Sequence, residues 1–153
     1  MKIKYLFLAI PLLLATNAHA VDDGANVVGK TKITQKVGMT VSLDIPLINE
    51  KGEPSSLGAL AKKNHPVAIV PVYFRCAGLC SHTLNDIVQV INNDDLAMGK
   101  DFTMAVVSFN PEDNAKLAFE KKENYDKELF EEKESKGWTF LTGEEGNIKK
   151  LMD

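Results

Sequence analysis

Metal-binding and cross-linking residues are scarce in this chain of 153 residues, which has two cysteines and three histidines. A structural zinc site usually takes four nitrogen or sulfur ligands, so this inventory argues against one. Basic residues do not exceed acidic ones, and the formal charge of −3 argues against a nucleic-acid partner. Glycine-rich phosphate-binding loops and carboxylate–histidine metal motifs are also absent from the sequence.

The apolar run near the N-terminus is shorter than the roughly 20 residues that span a bilayer. It covers residues 5–15, follows Lys2 and Lys4, and precedes the small-residue site Ala18-His19-Ala20. A basic start, an apolar core and a small-residue site are typical of an export signal. We therefore predict a cleavable signal peptide over residues 1–20 and a periplasmic protein. An uncleaved signal acting as a membrane anchor is the weaker alternative.

The exported part has room for one small domain. Removing 20 residues from 153 leaves 133, and the loss of two lysines and no acid changes the formal charge from −3 to −5. Residues 21–38 are polar, contain glycine and show no clear periodicity, so we predict a flexible segment there. Residues 39–153 carry the pattern of a single domain.

Long apolar or amphipathic segments mark the main elements of that domain. Residues 66–74 are nearly continuous in apolar and branched side chains, which predicts a central strand buried on both faces. A helix is predicted over residues 83–91 and a second buried strand over residues 102–109. A long charged helix is predicted over residues 114–136, and Gly137 is expected to end it.

Shorter elements complete the pattern. Residues 138–141 predict a third strand, and residues 144–153 a final helix. Earlier in the domain, residues 39–48 predict a strand, residues 49–52 a hairpin turn and residues 55–63 a short helix. The alternation of strands and helices implies parallel strands joined by right-handed crossovers, which places the chain in the α/β class.

The two cysteines lie just beyond the predicted strand 66–74. Three residues separate Cys76 from Cys80, so the two sulfurs can meet on one face if Cys80 opens a helix. The carboxyl ends of strands in an open α/β sheet are where ligands collect. A helix N-terminus, together with the nearby positive charge of Arg75, favours the thiolate over the thiol.

The residues alone leave several uses of this thiol pair open. A structural disulfide would close a very small loop and stabilise the fold little, so we favour a functional pair. Thiolates bind Cu(I), which accepts two or three ligands, and they also perform thiol–disulfide exchange. On a helix, His82 is turned well away from Cys80, so we predict it to be a surface residue. His65 directly precedes the strand predicted over residues 66–74.

The segment Tyr73-Phe-Arg-Cys76-Ala-Gly-Leu-Cys80-Ser-His-Thr-Leu-Asn85 resembles the signature of the Sco/SenC family of exported copper chaperones. Val107-Ser-Phe-Asn-Pro111, Asn124-Tyr125 and Gly137-Trp-Thr-Phe-Leu-Thr-Gly143 resemble further parts of the same family. The resemblance runs from about residue 39 to the last residue. It implies a thioredoxin-like fold in which Cys76 and Cys80 bind copper and are redox-active thiols.

The resemblance also implies a biological role. It indicates a metallochaperone that delivers copper to, or matures, the binuclear copper centre of cytochrome c oxidase. The expected partners are the copper-centre subunit of that oxidase, or another periplasmic copper protein, and a thioredoxin-like reductant. The alternative is a periplasmic thiol-disulfide oxidoreductase that acts on a partner's cysteines without metal transfer. A third hypothesis is a non-functional remnant that does not fold.

The sequence departs from the family pattern at three points. Ala77 stands where the family often has proline, and Asn110 where it often has aspartate. The family's third copper ligand is a histidine in a later hairpin, and this sequence reaches Asp153 before that hairpin. We therefore expect a thioredoxin-like domain without its final strands and helix, an exposed sheet edge and weakened binding of a single Cu(I).

Overall fold

The computed structural model describes residues 37–61, 65–130 and 135–153. The predicted signal peptide and most of the predicted flexible segment 21–38 lie outside the described residues. The described strands are β1 Leu47–Asn49, β2 Pro54–Ser55, β3 Val67–Val72, β4 Thr103–Ser108 and β5 Trp138–Thr142. The helices are α1 Leu57–Leu60, α2 Leu79–Asn93, α3 Ala115–Asp126 and α4 Glu145–Met152, with a 3₁₀ turn at Ser135–Gly137. None of these helices is long and apolar enough to cross a membrane.

The strands form one mixed sheet in the order β2-β1-β5-β4-β3. Strands β3, β4 and β5 are parallel, as the alternating pattern of strands and helices predicts. Strand β1 pairs antiparallel with β5, and β2 pairs antiparallel with β1. The predicted α/β fold class is therefore confirmed, with an antiparallel hairpin added at one side.

Strand β4 lies at the centre of the packing. Met104 and Val106 face an apolar cluster that includes residues of α2 and α3, whereas Ala105 and Val107 face a second cluster that includes residues of α1 and α4. Helices therefore cover both faces of the sheet. The prediction of a buried strand over residues 102–109 is confirmed.

Strand β3 is not the central strand that the sequence predicted. Within the described residues it pairs only with β4, and Ile69 is 38% exposed. The backbone N–H of Thr103 donates to the Pro66 carbonyl at 3.0 Å and that of Phe109 to the Val72 carbonyl at 2.8 Å. The backbone groups of even-numbered residues in β3 thus bond to β4. The backbone nitrogen of Pro71 points away from β4, so its missing N–H costs no hydrogen bond of the sheet.

Helix α3 ends ten residues before its predicted end at residue 136. The side chain of Asn92 forms hydrogen bonds with backbone groups just beyond the end of this helix. Its amide nitrogen donates to the Glu128 carbonyl at 2.8 Å, and its oxygen accepts from the Phe130 N–H at 3.0 Å. This pairing holds the chain in a turn that leaves the helix, although residues 114–136 are rich in helix-forming side chains.

Strands β1 and β2 form a hairpin with a turn at the predicted residues 49–52. Gly52 donates its N–H to the Asn49 carbonyl at 2.9 Å and has a φ of 79°, which glycine adopts without strain. The strand predicted over residues 39–48 is shorter in the structure and covers only Leu47–Asn49. The predicted short helix is present as α1, and the Ser56 side chain caps it by accepting from the Ala59 N–H.

Candidate thiol site

The cysteines occupy the connection between β3 and α2. Helix α2 begins at Leu79, four residues before its predicted start, so Cys80 lies in its first turn. Gly78 precedes the helix, and its carbonyl accepts from the N–H groups of Ser81 at 3.0 Å and His82 at 3.2 Å. The predicted placement of a cysteine at a helix start is thus confirmed.

The sulfur of Cys76 is surrounded by hydrogen-bond donors. It accepts from the backbone N–H of Cys80 and then from that of Gly78, and these bonds lower the pKa of Cys76 to about 7 against an opposing effect of burial. The Cys80 thiol and the Tyr73 hydroxyl contribute further hydrogen bonds. Both cysteines are half-buried free thiols. The predicted meeting of the two side chains is therefore present, with Cys76 poised to be a thiolate near neutral pH.

Tyr73 is the aromatic member of this site. Its hydrogen bond to Cys76 is the largest cause that raises the pKa of Tyr73, because the phenol must remain protonated to donate. The Tyr73 ring packs edge-on against Phe109 with 5.7 Å between ring centroids. Phe109 follows β4 and is 43% exposed, and Leu79, between the cysteines, is 79% exposed. An apolar surface therefore borders the thiols.

Ser81, in the first turn of α2, links the cysteine segment to α3 by hydrogen bonds. Its hydroxyl donates to the Cys76 carbonyl at 2.7 Å and accepts from Lys121 Nζ at 3.1 Å. The Tyr125 hydroxyl donates to the Ser81 carbonyl at 3.3 Å. The first cysteine is thus tied to a helix more than forty residues further along the chain, which fixes its backbone beside the N-terminus of α2.

Arg75 has a different role from the one that the sequence suggested. Its Nε lies 3.7 Å from Oδ1 of Asp113, so the guanidinium pairs with a carboxylate. The lowered pKa of Cys76 is caused by N–H, S–H and O–H donors. The prediction that Arg75 supplies the activating charge is therefore replaced by hydrogen bonds from the start of α2 and from Tyr73.

Neither described histidine joins the thiols. His65 stands before β3, at the end of the strand opposite to the cysteines, and His82 is exposed on α2, as predicted. Within the described ranges, no group of three or more histidine, cysteine, aspartate or glutamate side chains is arranged to hold a metal ion. In this part of the chain the soft donors of the site are Cys76 and Cys80.

The residue pattern predicts no role for two groups that shape this site, Tyr73 and Asp113. Tyr73 falls within the cysteine segment, and its signal is a polar aromatic residue at the end of a strand, three positions before a cysteine. No sequence motif marks Asp113. It lies just beyond the carboxyl end of β4, beside the end of β3, which is where polar residues of a site collect.

Solved structures share this arrangement of strands and helices. A protein of Aquifex aeolicus VF5 to which a role in electron transfer has been attributed is 26% identical, with a TM-score of 0.62, covering 76% of this chain and 69% of that one. ScoI of Arabidopsis thaliana with copper bound is 17% identical, with a TM-score of 0.57, covering 74% of this chain and 63% of that one. The chain has the fold of the Sco proteins.

A third structure extends the comparison. BsSco, described as a member of the Sco family of cytochrome c oxidase assembly proteins with a disulfide switch, is 19% identical, with a TM-score of 0.55. The alignment covers 79% of this chain and 66% of BsSco. No protein-family model and no curated protein matches the chain. The Sco fold confirms the thioredoxin-like architecture that the resemblance of the cysteine segment implied.

Proposed function

We propose that this chain is an exported Sco/SenC protein that binds one Cu(I) through Cys76 and Cys80. The observation that carries the proposal is the contact between two half-buried thiols at the start of α2, with the pKa of Cys76 lowered to about 7. Thiolate sulfur is the donor that Cu(I) prefers. Copper is the cargo of the protein in this proposal.

The donor set fits a low coordination number. Cu(I) accepts two ligands, and the described residues offer two adjacent sulfurs without a third metal-binding side chain beside them. A Cys76 thiol with a pKa near 7 gives up its proton at neutral pH with little opposition. We therefore propose two-sulfur binding, weaker than binding by a site that also provides an imidazole.

The Sco fold supports copper as the metal. The Arabidopsis thaliana ScoI structure contains copper, and ScoI of Bradyrhizobium japonicum was also solved with copper bound. BsSco is described as a cytochrome c oxidase assembly protein. We propose that this chain delivers copper to the binuclear centre of that oxidase, with its copper-centre subunit as the partner. The apolar surface of Leu79 and Phe109 beside the thiols is suited to contact such a protein.

A copper-transfer assay tests this function. The purified chain, loaded with Cu(I), is mixed with the copper-free soluble domain of the oxidase subunit, the two are separated, and copper is measured on each. We expect copper to move to the oxidase domain from the wild-type chain, and the Cys76→Ser, Cys80→Ser double variant to carry none. A His82→Ala variant is the matched control, because His82 is exposed and close in sequence, and should transfer like the wild type. Copper that stays on the wild-type chain would contradict delivery to this partner.

A second candidate function rests on the nucleophilic character of Cys76. A thiol with a pKa near 7 attacks disulfides efficiently at neutral pH, so the same site supports a thiol-disulfide oxidoreductase. Cys76 would attack a partner's disulfide, and Cys80 would release the partner by forming the Cys76–Cys80 disulfide. This version predicts that a Cys80→Ser variant accumulates a mixed disulfide with its partner, whereas Cys76→Ser does not. Absence of trapped partners in both variants would argue against it.

A further inference from the structure

The outer edge of β3 carries backbone groups that no described strand pairs. Within the described residues β3 pairs only with β4, and it does so through the backbone groups of its even-numbered residues. The N–H and C=O groups of Val67 and Ile69, and the carbonyl of Pro71, therefore point away from β4. An exposed strand edge of this kind pairs readily with a strand from another chain.

The residues of β3 do little to prevent such pairing. Proteins commonly protect an edge strand with charged side chains, with a bulge or with proline. The strand Val67–Val72 contains no charged residue, and all six of its residues are in unbroken register with β4. Pro71 is the protecting residue in this strand, because it lacks the N–H that the edge would otherwise offer at that position. Donors therefore remain on this edge at Val67 and Ile69.

Apolar surface borders the edge on both faces of the sheet. On the face that α2 covers, Ala68 is exposed, and its β4 partner Met104 lines an open, mainly apolar groove of about 360 Å³ with Phe102 and Val90. On the opposite face, Ile69 is exposed. A strand added here would place side chains on both faces, so apolar residues at its odd and even positions would suit the site. Strand β3 itself has this composition.

We propose that β3 pairs edge to edge with β3 of a second copy of this chain, which forms a twofold-symmetric dimer with one continuous sheet. A twofold axis makes the two strands antiparallel, and the same edge then supplies both donors and acceptors to its copy. The carboxyl ends of the two strands, and hence the two thiol sites, lie at opposite ends of this interface. The proposal goes beyond the proposed function and depends on neither copper nor the thiols.

Pro71 limits the strength of this dimer. Its carbonyl can accept a hydrogen bond from the second copy, but each copy lacks one donor, so two hydrogen bonds are lost per dimer. Pro71→Ala restores the donor and leaves the bonds to β4 in place, because the backbone groups of residue 71 point away from β4. We expect this variant to lower the dissociation constant of the dimer about fivefold or more, since two hydrogen bonds are added.

The test is analytical ultracentrifugation of the reduced, metal-free chain from about 5 µM to about 500 µM, the range in which small interfaces associate. We expect the mass to rise from one copy towards two. The Cys76→Ser, Cys80→Ser double variant should behave in the same way, which excludes dimers joined by sulfur or metal. Ile69→Lys places a charge in the middle of the edge and should remain a monomer. Phe119→Lys, on α3 and 51% exposed, is the matched control and should dimerise like the wild type.

Hydrogen exchange identifies the residues that pair. The amides of Val67 and Ile69 should exchange several-fold more slowly at the highest concentration than at the lowest. Circular dichroism confirms folding, and if Ile69→Lys does not fold, Pro71→Ala and the exchange rates decide.

Three results would overturn the proposal: a monomer at every concentration, a dimer that Ile69→Lys leaves intact, or a Pro71→Ala variant that associates no more tightly than the wild type. Protection of the two amides that does not depend on concentration would also overturn it, because another segment of the same chain would then cover the edge. A dimer that binds no copper would instead contradict the proposed copper function alone.

Discussion

Replacing Cys80 by serine leaves Cys76 as the single thiol of the chain and makes its reactivity directly measurable. Serine keeps the backbone N–H at position 80, the largest cause of the lowered pKa of Cys76, so the pKa should stay near 7. At pH 7 a thiol of pKa 7 is half ionised, whereas an ordinary thiol of pKa 9.0 is about 1% ionised. The thiolate population of Cys76 is then about 50-fold larger.

Intrinsic nucleophilicity offsets part of this gain. The nucleophilicity of a thiolate falls about six- to tenfold when the thiol pKa drops from 9.0 to about 7, because the Brønsted coefficient is about 0.4–0.5. Cys76 should therefore react with iodoacetamide at pH 7 about five- to eightfold faster than an unstructured cysteine peptide. Measured by mass spectrometry from pH 5 to pH 10, the rate should rise as the thiol loses its proton, with a midpoint near 7. A midpoint between 8.5 and 9 would refute the assignment of the backbone N–H groups as the cause.

Two further predictions concern stability and are measured by urea unfolding followed by circular dichroism. Gly137→Ala would force a methyl group against the side chain of Met98 and the backbone nitrogen of Gly99. This overpacking should lower the free energy of unfolding by about 1–3 kcal/mol. Gly146→Ala, in open space on α4, is the matched control and should raise it by about 0.5–1 kcal/mol; equal effects would contradict the packing described for Gly137. Asn92→Ala removes the side chain that bonds the backbone at residues 128 and 130, and should cost about 1–2 kcal/mol. An unchanged midpoint for Asn92→Ala would show that another contact ends α3.

Local spacing predicted the parts of this molecule that depend on neighbours in sequence. The contact between Cys76 and Cys80 follows from three intervening residues and a helix that begins between them. The parallel arrangement of β3, β4 and β5 follows from the helices that connect them. The buried character of β4 is visible in its continuous apolar run.

Other features depend on residues that are distant in sequence. Apolar residues 66–74 suggested a central strand, yet an apolar run does not specify which strands lie beside it, and β3 is at the edge of the described sheet. Helix α3 ends early because Asn92, more than thirty residues away, bonds the backbone beyond it. Asp113 acts on Phe74 across 39 positions, so no local pattern reveals it.

Native mass spectrometry of the chain after anaerobic loading with Cu(I) is the most direct test of the central claim. The comparison is between the wild type, the Cys76→Ser, Cys80→Ser double variant and the His82→Ala control, all exposed to the same excess of copper. We predict one copper on the wild type and on the control, and none on the double variant. Equal copper on the double variant, or a metal-free wild type, would contradict the assignment of Cys76 and Cys80 as the copper-binding pair.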